Sequence, residues 1–244
     1  MTTEKCVGIV WPEFLREEHF QEVKSFFPPE IRVEMIGTQP TPPLDNIVIT
    51  LDQVLKDATS TNIEKAAKKL VPLGVASIGY ACTSHSYVHG LGGAIEIADR
   101  IKSATGIPAT TTSSALINAL RYLNIDKIGV LSPHVDELNE RLEQFLTDNG
   151  FTVVRMAGLG ILRRIEDLPS EEIRELIVNT TNCPNADGIF ISCTSMMTSS
   201  IINEVEQTLG KPVVSANQAT AWDVLRLAGM RTSMTGLSKL YSTH

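Results

Sequence analysis

The chain has 244 residues, with 21 Lys and Arg against 28 Asp and Glu and a net charge of -7. That balance disfavours a nucleic-acid or anionic-membrane surface, both of which select for excess cations. With 43% hydrophobic and 20% charged residues, the composition is that of a globular protein with one large core or two lobes, and it excludes a disordered chain.

Residues Met1 to Val10 contain no basic stretch leading into a long apolar run, and no window reaches the roughly 18 to 20 apolar residues of a membrane helix. A cytoplasmic location is therefore expected, and the four cysteines read as reduced thiols rather than as a disulfide framework. Short apolar runs follow one another along the chain: Val7–Val10, Val33–Ile36, Val75–Ile78, Ile128–Leu131, Val153–Met156, Ile189–Ile191 and Val213–Val214. Each reads as a strand, with amphipathic stretches between. The clearest helix is Val135–Asn149, which places Leu138, Leu142, Phe145 and Leu146 on one face before Gly150 stops it. Alternation of this kind predicts an α/β fold with parallel sheets covered on both faces.

The second half repeats the first. Gly8-Ile9-Val10-Trp11-Pro12 matches Gly129-Val130-Leu131-Ser132-Pro133, Ala81-Cys82-Thr83-Ser84 matches Ser192-Cys193-Thr194-Ser195, and Gly106-Ile107-Pro108-Ala109 matches Gly210-Lys211-Pro212-Val213. The order is kept, at offsets of 121, 111 and 104 residues. Two similar Rossmann-like lobes related by a pseudo-twofold axis follow, with residues 1–115 plus 216–244 assigned to the N-terminal lobe and 116–215 to the C-terminal lobe. Both Cys-Thr-Ser segments fall at the carboxyl end of a strand, where open α/β sheets bind ligands, so the duplication predicts Cys82 and Cys193 facing one cleft.

A thiol at a strand-to-helix turn is expected to have a lowered pKa, and the amides of Thr83, Ser84, Thr194 and Ser195 are expected to hold a carboxylate or a developing enolate. Cys6 reads as a small buried hydrophobe and Cys183 as incidental. Cys82, His85 and His89 lack the further ligands of a metal cluster, so neither metal nor cofactor is expected. His85 is assigned a role in shaping the pocket, His89 a solvent-facing or packed position, and His134 a place at a strand end lining the cleft. Gly90-Leu91-Gly92-Gly93 reads as close helix packing rather than a phosphate loop. Asn217 and Gln218 either line the cleft or cap the following helix, and Arg163 and Arg164 either reach a carboxylate or are solvated.

The paired cysteine turns, with Ala104-Thr105-Gly106-Ile107-Pro108, Val135-Asp136-Glu137-Leu138-Asn139-Glu140-Arg141-Leu142, Gly158-Leu159-Gly160-Ile161 and Trp222-Asp223-Val224-Leu225-Arg226-Leu227-Ala228-Gly229, resemble the aspartate/glutamate racemase superfamily, in the branch of maleate cis-trans isomerase and arylmalonate decarboxylase. The resemblance implies a cofactor-independent isomerase of a small carboxylic acid. Cys82 would be the nucleophile that forms a covalent adduct and an enediolate, and Cys193 would protonate or assist. Amino-acid, hydantoin or ectoine-pathway racemisation and arylmalonate-type decarboxylation are the alternatives, and a non-catalytic binder or thiol redox sensor is a remote one. The decarboxylases carry Gly at the first cysteine position, whereas both cysteines are present here. Substrate contacts are expected from Thr83, Ser84, Thr194, Ser195, Pro12, Glu13, His134 and Arg164. The chain departs from the isomerase pattern at Pro12-Glu13-Phe14, in place of Pro-Ser-Ser-Asn, at His134 in place of Tyr, and at Arg164 in place of Asn. A homo-oligomer is the expected assembly.

Overall fold

The computed structural model describes residues 5–13, 15–39, 48–181, 183–231, 233–234 and 236–242; Phe14 and the first four residues of the Met1–Val10 stretch, named above, lie outside them. In chain order the elements are β1 (Cys6–Trp11), α1 (Glu17–Lys24), β2 (Arg32–Gly37), α2 (Leu51–Ala58), α3 (Asn62–Leu70), β3 (Ile78–Tyr80), α4 (Thr83–Tyr87), α5 (Leu91–Thr105), β4 (Ala109–Thr111) and α6 (Thr112–Tyr122). The second series is β5 (Lys127–Ser132), α7 (Asp136–Asp148), β6 (Thr152–Gly158), α8 (Ser170–Leu176), β7 (Gly188–Ile191), α9 (Ile202–Leu209), β8 (Val213–Ser215), α10 (Ala216–Leu227) and α11 (Lys239–Ser242). No helix among the described residues is long and apolar enough to cross a membrane.

Two four-stranded parallel sheets result, ordered β2-β1-β3-β4 and β6-β5-β7-β8. The duplication extends to single hydrogen bonds. Ile9 pairs with Gly79 in the first sheet, and their counterparts at offsets of 121 and 111, Val130 and Phe190, pair in the second. Ile78 pairs with Ala109 as Ile189 pairs with Val213, which carries the third offset, 104. Beyond the strands, the Ala81 amide donates to the Val10 carbonyl at 2.9 Å and the Ser192 amide to that of Leu131 at 2.8 Å. The sequence repeat is thus a repeat of register, and it delivers the two cysteines to equivalent strand ends.

Apart from the exposed Lys127 that opens β5, the central strands β1, β5 and β7 are buried, which is why they read as continuous apolar runs rather than alternating ones. Leu138, Leu142, Phe145 and Leu146 of α7 are all buried, with Val135 and Asn149 capping the helix and Gly150 at φ +92° ending it. Three differences from the sequence reading arise locally. The strand expected from Val75 begins at Ile78, although the Ala76 amide already donates to the Cys6 carbonyl of β1 at 2.9 Å. The short β4 was not anticipated, since Ala-Thr-Thr is brief and runs straight into a helix N-terminus that Thr111 caps. Gly90 breaks the helix after Cys82 and sits at φ +73°, so α5 starts afresh at Leu91, while a Cβ on Gly93 would meet that of His89 at 2.8 Å.

The lobes are joined by packing and by hydrogen bonds, among them those of the buried Glu22 carboxylate. Helix α10 lies on the first sheet, where Ser77 donates to the Val224 carbonyl at 2.8 Å and a Cβ on Gly79 would meet Val224 at 2.6 Å. From α1 of the first lobe, Glu22, 6% exposed, accepts from the amides of Thr198 and Ser199 at 2.7 and 3.0 Å and from their hydroxyls at 3.1 and 2.6 Å. These bonds seat the segment that follows Cys193. Removing an ionised acceptor from buried donors forfeits charge-assisted bonds and leaves the donors unpaired. Glu22→Ala is expected to lower the unfolding free energy by about 3 kcal/mol, read from the urea midpoint; an unchanged midpoint would show that the clamp contributes nothing to stability.

Candidate active site

Four strand ends converge on one cavity. From the first sheet come Pro12 and Glu13 after β1 and Cys82, Thr83, Ser84 and His85 after β3; from the second come His134 after β5 and Cys193, Thr194 and Ser195 after β7. Helix α2 and the residues just before it close the space with Val48, Ile49, Gln53, Val54 and Asp57. Its empty space comes to about 570 Å³ with the open solvent at the mouth included.

The two cysteine turns share their chemistry but not their backbone. Cys82 is extended, at φ -145°, and caps the five-residue α4. Cys193 sits at φ +82°, a left-handed conformation uncommon for a residue with a Cβ, and the chain after it forms turns until α9. The segment Thr194-Ser195-Met196-Met197-Thr198-Ser199 is tied at both ends, the Thr194 hydroxyl donating to the Ala81 carbonyl and the last two amides being taken by Glu22. Each sulfur nonetheless has a serine hydroxyl and an amide beside it. Ser84 Oγ lies 3.7 Å from the Cys82 sulfur, with the His85 amide also directed at it, and Ser195 supplies both a hydroxyl and an amide to Cys193.

The lowered thiol pKa expected from a helix terminus is not found. Burial dominates and pushes Cys82 up to about 12 and Cys193 up to about 11, against smaller downward contributions from the neighbouring amides and hydroxyls. A single short turn of helix supplies too little dipole to offset desolvation, and the Cys193 turn has no helix directly behind it. Both thiols of the unliganded protein therefore hold their protons at neutral pH.

Around them, buried polar groups stand ready without protein partners. The Thr83 hydroxyl and both ring nitrogens of His134 are buried and unbonded, at 1% and 2% residue exposure. Burial, and secondarily His85, lowers His134 to about 4, and burial lowers His85 to about 4 as well, so both rings are neutral. Tyr80 meets His85 Nδ1 at 2.6 Å; burial keeps its phenol protonated, and with that proton directed to Nδ1 the ring carries its own on Nε2. The amides of Leu159, Gly160 and Ile161 donate to the carbonyls of Ser132, His134 and Pro133 at 2.9, 3.2 and 2.8 Å. This gives Gly158-Leu159-Gly160-Ile161 its physical meaning as the clasp of the His134 turn, to which Asn139 adds a bond to the His134 carbonyl at 2.9 Å.

Of the expected contacts, the structure brings Pro12, Glu13, Thr83, Ser84, His134, Thr194 and Ser195 to the cavity with both cysteines. It does not bring Arg164, whose side chain is 77% exposed and bonds Asp167 at 2.5 Å. Arg164 sits in a left-handed turn at φ +55° that aims it into solvent, so its solvated alternative holds. Gln218 forms a capping box with Ser215, and Asn217 donates to the Thr194 carbonyl at 2.9 Å, supporting a cysteine turn from behind. Cys6 is buried, Cys183 partly so, and His89 exposed. Among the described residues no group of three or more His, Cys, Asp or Glu side chains is arranged to hold a metal ion.

Sequence reasoning missed Tyr80, Gln53 and Asp57. The signal for α2 was present: Thr50-Leu51-Asp52-Gln53 has the Thr-x-x-Gln form of a capping box, Leu51, Val54, Leu55 and Ala58 follow at helical spacing, and Thr50 does accept the Gln53 amide at 3.3 Å.

These features define a two-lobed α/β protein with a pair of thiols at an inter-lobe cavity. The arylmalonate decarboxylase family profile matches residues 49–241. Arylmalonate decarboxylase of Bordetella bronchiseptica is 33% identical over 176 residues, covering 71% of this chain and 73% of that one. Maleate isomerase of Geobacillus stearothermophilus is 27% identical over 172 residues, or 68% of each chain. Among solved structures, a liganded variant of arylmalonate decarboxylase superposes with a TM-score of 0.82 at 26% identity, over 97% of this chain and 98% of that one. Maleate isomerase from Pseudomonas putida S16 shares the fold, with a TM-score of 0.86 at 21% identity over 98% of each chain. The chain belongs to the arylmalonate decarboxylase family, in the branch of the aspartate/glutamate racemase superfamily that also contains maleate isomerases.

With thiol pKa values near 12 and 11, iodoacetamide should label Cys82 and Cys193 of the folded protein at pH 8 at least tenfold more slowly than the same thiols in urea. Labelling should still be accelerating above pH 10. Peptide mass mapping reads both sites, and equal folded and unfolded rates would contradict the burial effect.

Proposed function

We propose that the protein is a cofactor-independent two-cysteine isomerase of a small carboxylic acid, acting through Cys82 and Cys193. The observation that carries this reading is the delivery of both thiols, each with its own serine hydroxyl and amide, to one cavity from register-equivalent strand ends. A single-cysteine reaction has no use for the second thiol in that position.

The chemistry follows from the groups present. The substrate carboxylate is received by the Thr83 hydroxyl and the donors of the two cysteine turns, which strengthen their hold as negative charge grows on it. As substrate enters, the Cys82 proton passes to water at the cavity mouth; the thiolate adds to the alkene carbon β to the carboxylate, and the π electrons move through the α carbon onto the carboxylate to give an enediolate. The former double bond turns as a single bond. The enediolate then re-forms the alkene in the other geometry and expels the Cys82 thiolate, which recovers a proton. Cys193, protonated and in the same cavity, lends a proton to the developing charge and takes it back. A proton donor placed in this way contributes about 10²–10⁴-fold. The maleate isomerase of Geobacillus stearothermophilus, at 27% identity, supports this version.

The family match and the 33% identical relative favour a second reading, decarboxylation of a geminal diacid. There the carbon–carbon bond to one carboxylate breaks, CO2 leaves, and the resulting enediolate takes a proton from a thiol, a task that suits a cysteine kept protonated by burial. Cys82 would then be dispensable.

Alanine at either position separates the readings. Cys82→Ala and Cys193→Ala should each cut turnover by roughly 10²–10⁴-fold on an unsaturated or chiral small acid, and acid-quenched turnover of an unsaturated substrate should show its mass added to Cys82. Solvent deuterium appearing at Cα without an adduct would assign a proton-exchange isomerase. A Cys82→Ala variant that retains full activity with CO2 release would assign the decarboxylase and end the isomerase proposal.

A further inference from the structure

The cavity that receives the acid is itself acidic. Among the described residues its lining holds two carboxyl side chains, Glu13 and Asp57, and neither Lys nor Arg. Arg16, the nearest arginine to Glu13 in the chain, bonds Glu166 at 2.6 Å, and Arg164 bonds Asp167. Glu13 is built in rather than loosely placed. The Thr38 amide donates to the Trp11 carbonyl at 2.9 Å, the Gln39 amide to the Glu13 carbonyl at 3.5 Å, and the Thr38 hydroxyl to the Pro12 carbonyl. A Cβ on Gly37 would lie 2.5 Å from that Glu13 carbonyl, so the close approach requires glycine there. Asp57 is fixed through the Gln53 amide at 2.8 Å.

No hydrogen bond to the Glu13 carboxyl is formed among the described residues. Burial, Glu166 and Asp57 all raise its pKa, with only Arg16 opposing. Glu13 and Asp57 are thus within electrostatic reach of each other, and Glu13 acts on both sulfurs. Opposite stand neutral donors suited to one carboxylate: the unpartnered Thr83 hydroxyl, His134 with neither ring nitrogen bonded, and the hydroxyls of Ser84 and Ser195. One carboxylate is provided for. A second would be set against Glu13 and Asp57 without a cation to offset it.

We propose that Glu13, together with Asp57, selects a substrate that carries a cationic or N–H-donating group beside its single carboxylate, so that the substrate class is a small amino acid or comparable N–H-bearing acid rather than a dicarboxylate. The inference rests on the reading of this cavity as the site of a small-acid isomerase. It turns the departure at Glu13 into a specificity determinant: an ammonium group entering the site gains a hydrogen-bonded carboxylate partner, and the Glu13 carboxyl is drawn to its ionised form.

The test is binding, which needs no turnover. Calorimetric titration at pH 7.5 of wild type, Glu13→Gln and Asp57→Asn would use 2-aminobutyrate and 4-aminobutyrate as probes, with butyrate and succinate as their uncharged-end and dianionic counterparts. Expected is at least tenfold tighter binding of one aminobutyrate than of butyrate or succinate. Glu13→Gln should erase about tenfold of that preference while leaving butyrate within twofold, and Asp57→Asn should erase part of it. Thermal melts identify a variant that has merely unfolded. Tighter binding of succinate than of either aminobutyrate, equal losses for aminobutyrate and butyrate in Glu13→Gln, or no aminobutyrate binding to wild type would each overturn the proposal. Glu13-dependent amino-acid binding combined with a fully active Cys82→Ala enzyme would instead refute the reaction assigned above and leave the selectivity standing, whereas a Cys82 adduct formed on a dicarboxylate would do the reverse.

Discussion

The Thr194 hydroxyl donates to the Ala81 carbonyl at 3.0 Å, and through that bond the cysteine turn of one sheet is tied to the cysteine turn of the other. The residue before one thiol and the residue after its counterpart become a single buried unit. Asn217 holds the same turn from the other side through the Thr194 carbonyl, and Glu22 holds the segment that follows. Each of these supports arrives from a different part of the chain. The site therefore exists only where the two lobes meet, and its precision is a property of their junction.

Within that junction the lobes are equal in register and unequal in detail. The strands reproduce each other bond for bond, yet one thiol stands at an extended cap and the other in a left-handed turn. A conformation costly for a cysteine persists because the hydroxyl-rich segment and Glu22 over-determine it. The two sulfurs can then face one ligand from different angles while keeping closely matched surroundings.

Much of the architecture was legible because parallel strands buried on both faces leave continuous apolar runs, and because a duplicated chain shows its own register. The offsets of 121, 111 and 104 that align the motifs are those that align the ladders. The short β4 left no apolar run, only its place in the third matched motif, and α2 showed itself in a Thr-x-x-Gln start and a short apolar spacing. In the site, position was more readable than electrostatics. Cys82 and Cys193 could be placed at strand ends from spacing alone, but the direction of their proton affinity depends on how deeply the rest of the chain covers them, which spacing does not encode. Arg164 illustrates the same limit from outside: its side chain is aimed by a single left-handed residue.

The seat of α10 on the first sheet also orders events in time. Strands β5 to β8 lie in an unbroken stretch of chain, so the second sheet has all its strands before the ribosome has released the helix that covers the first. Contacts so distant in sequence close late, after the entropy of the intervening loop has been overcome. The covering of the first sheet therefore rests on contacts that reach across most of the chain, such as that from Ser77 to the Val224 carbonyl.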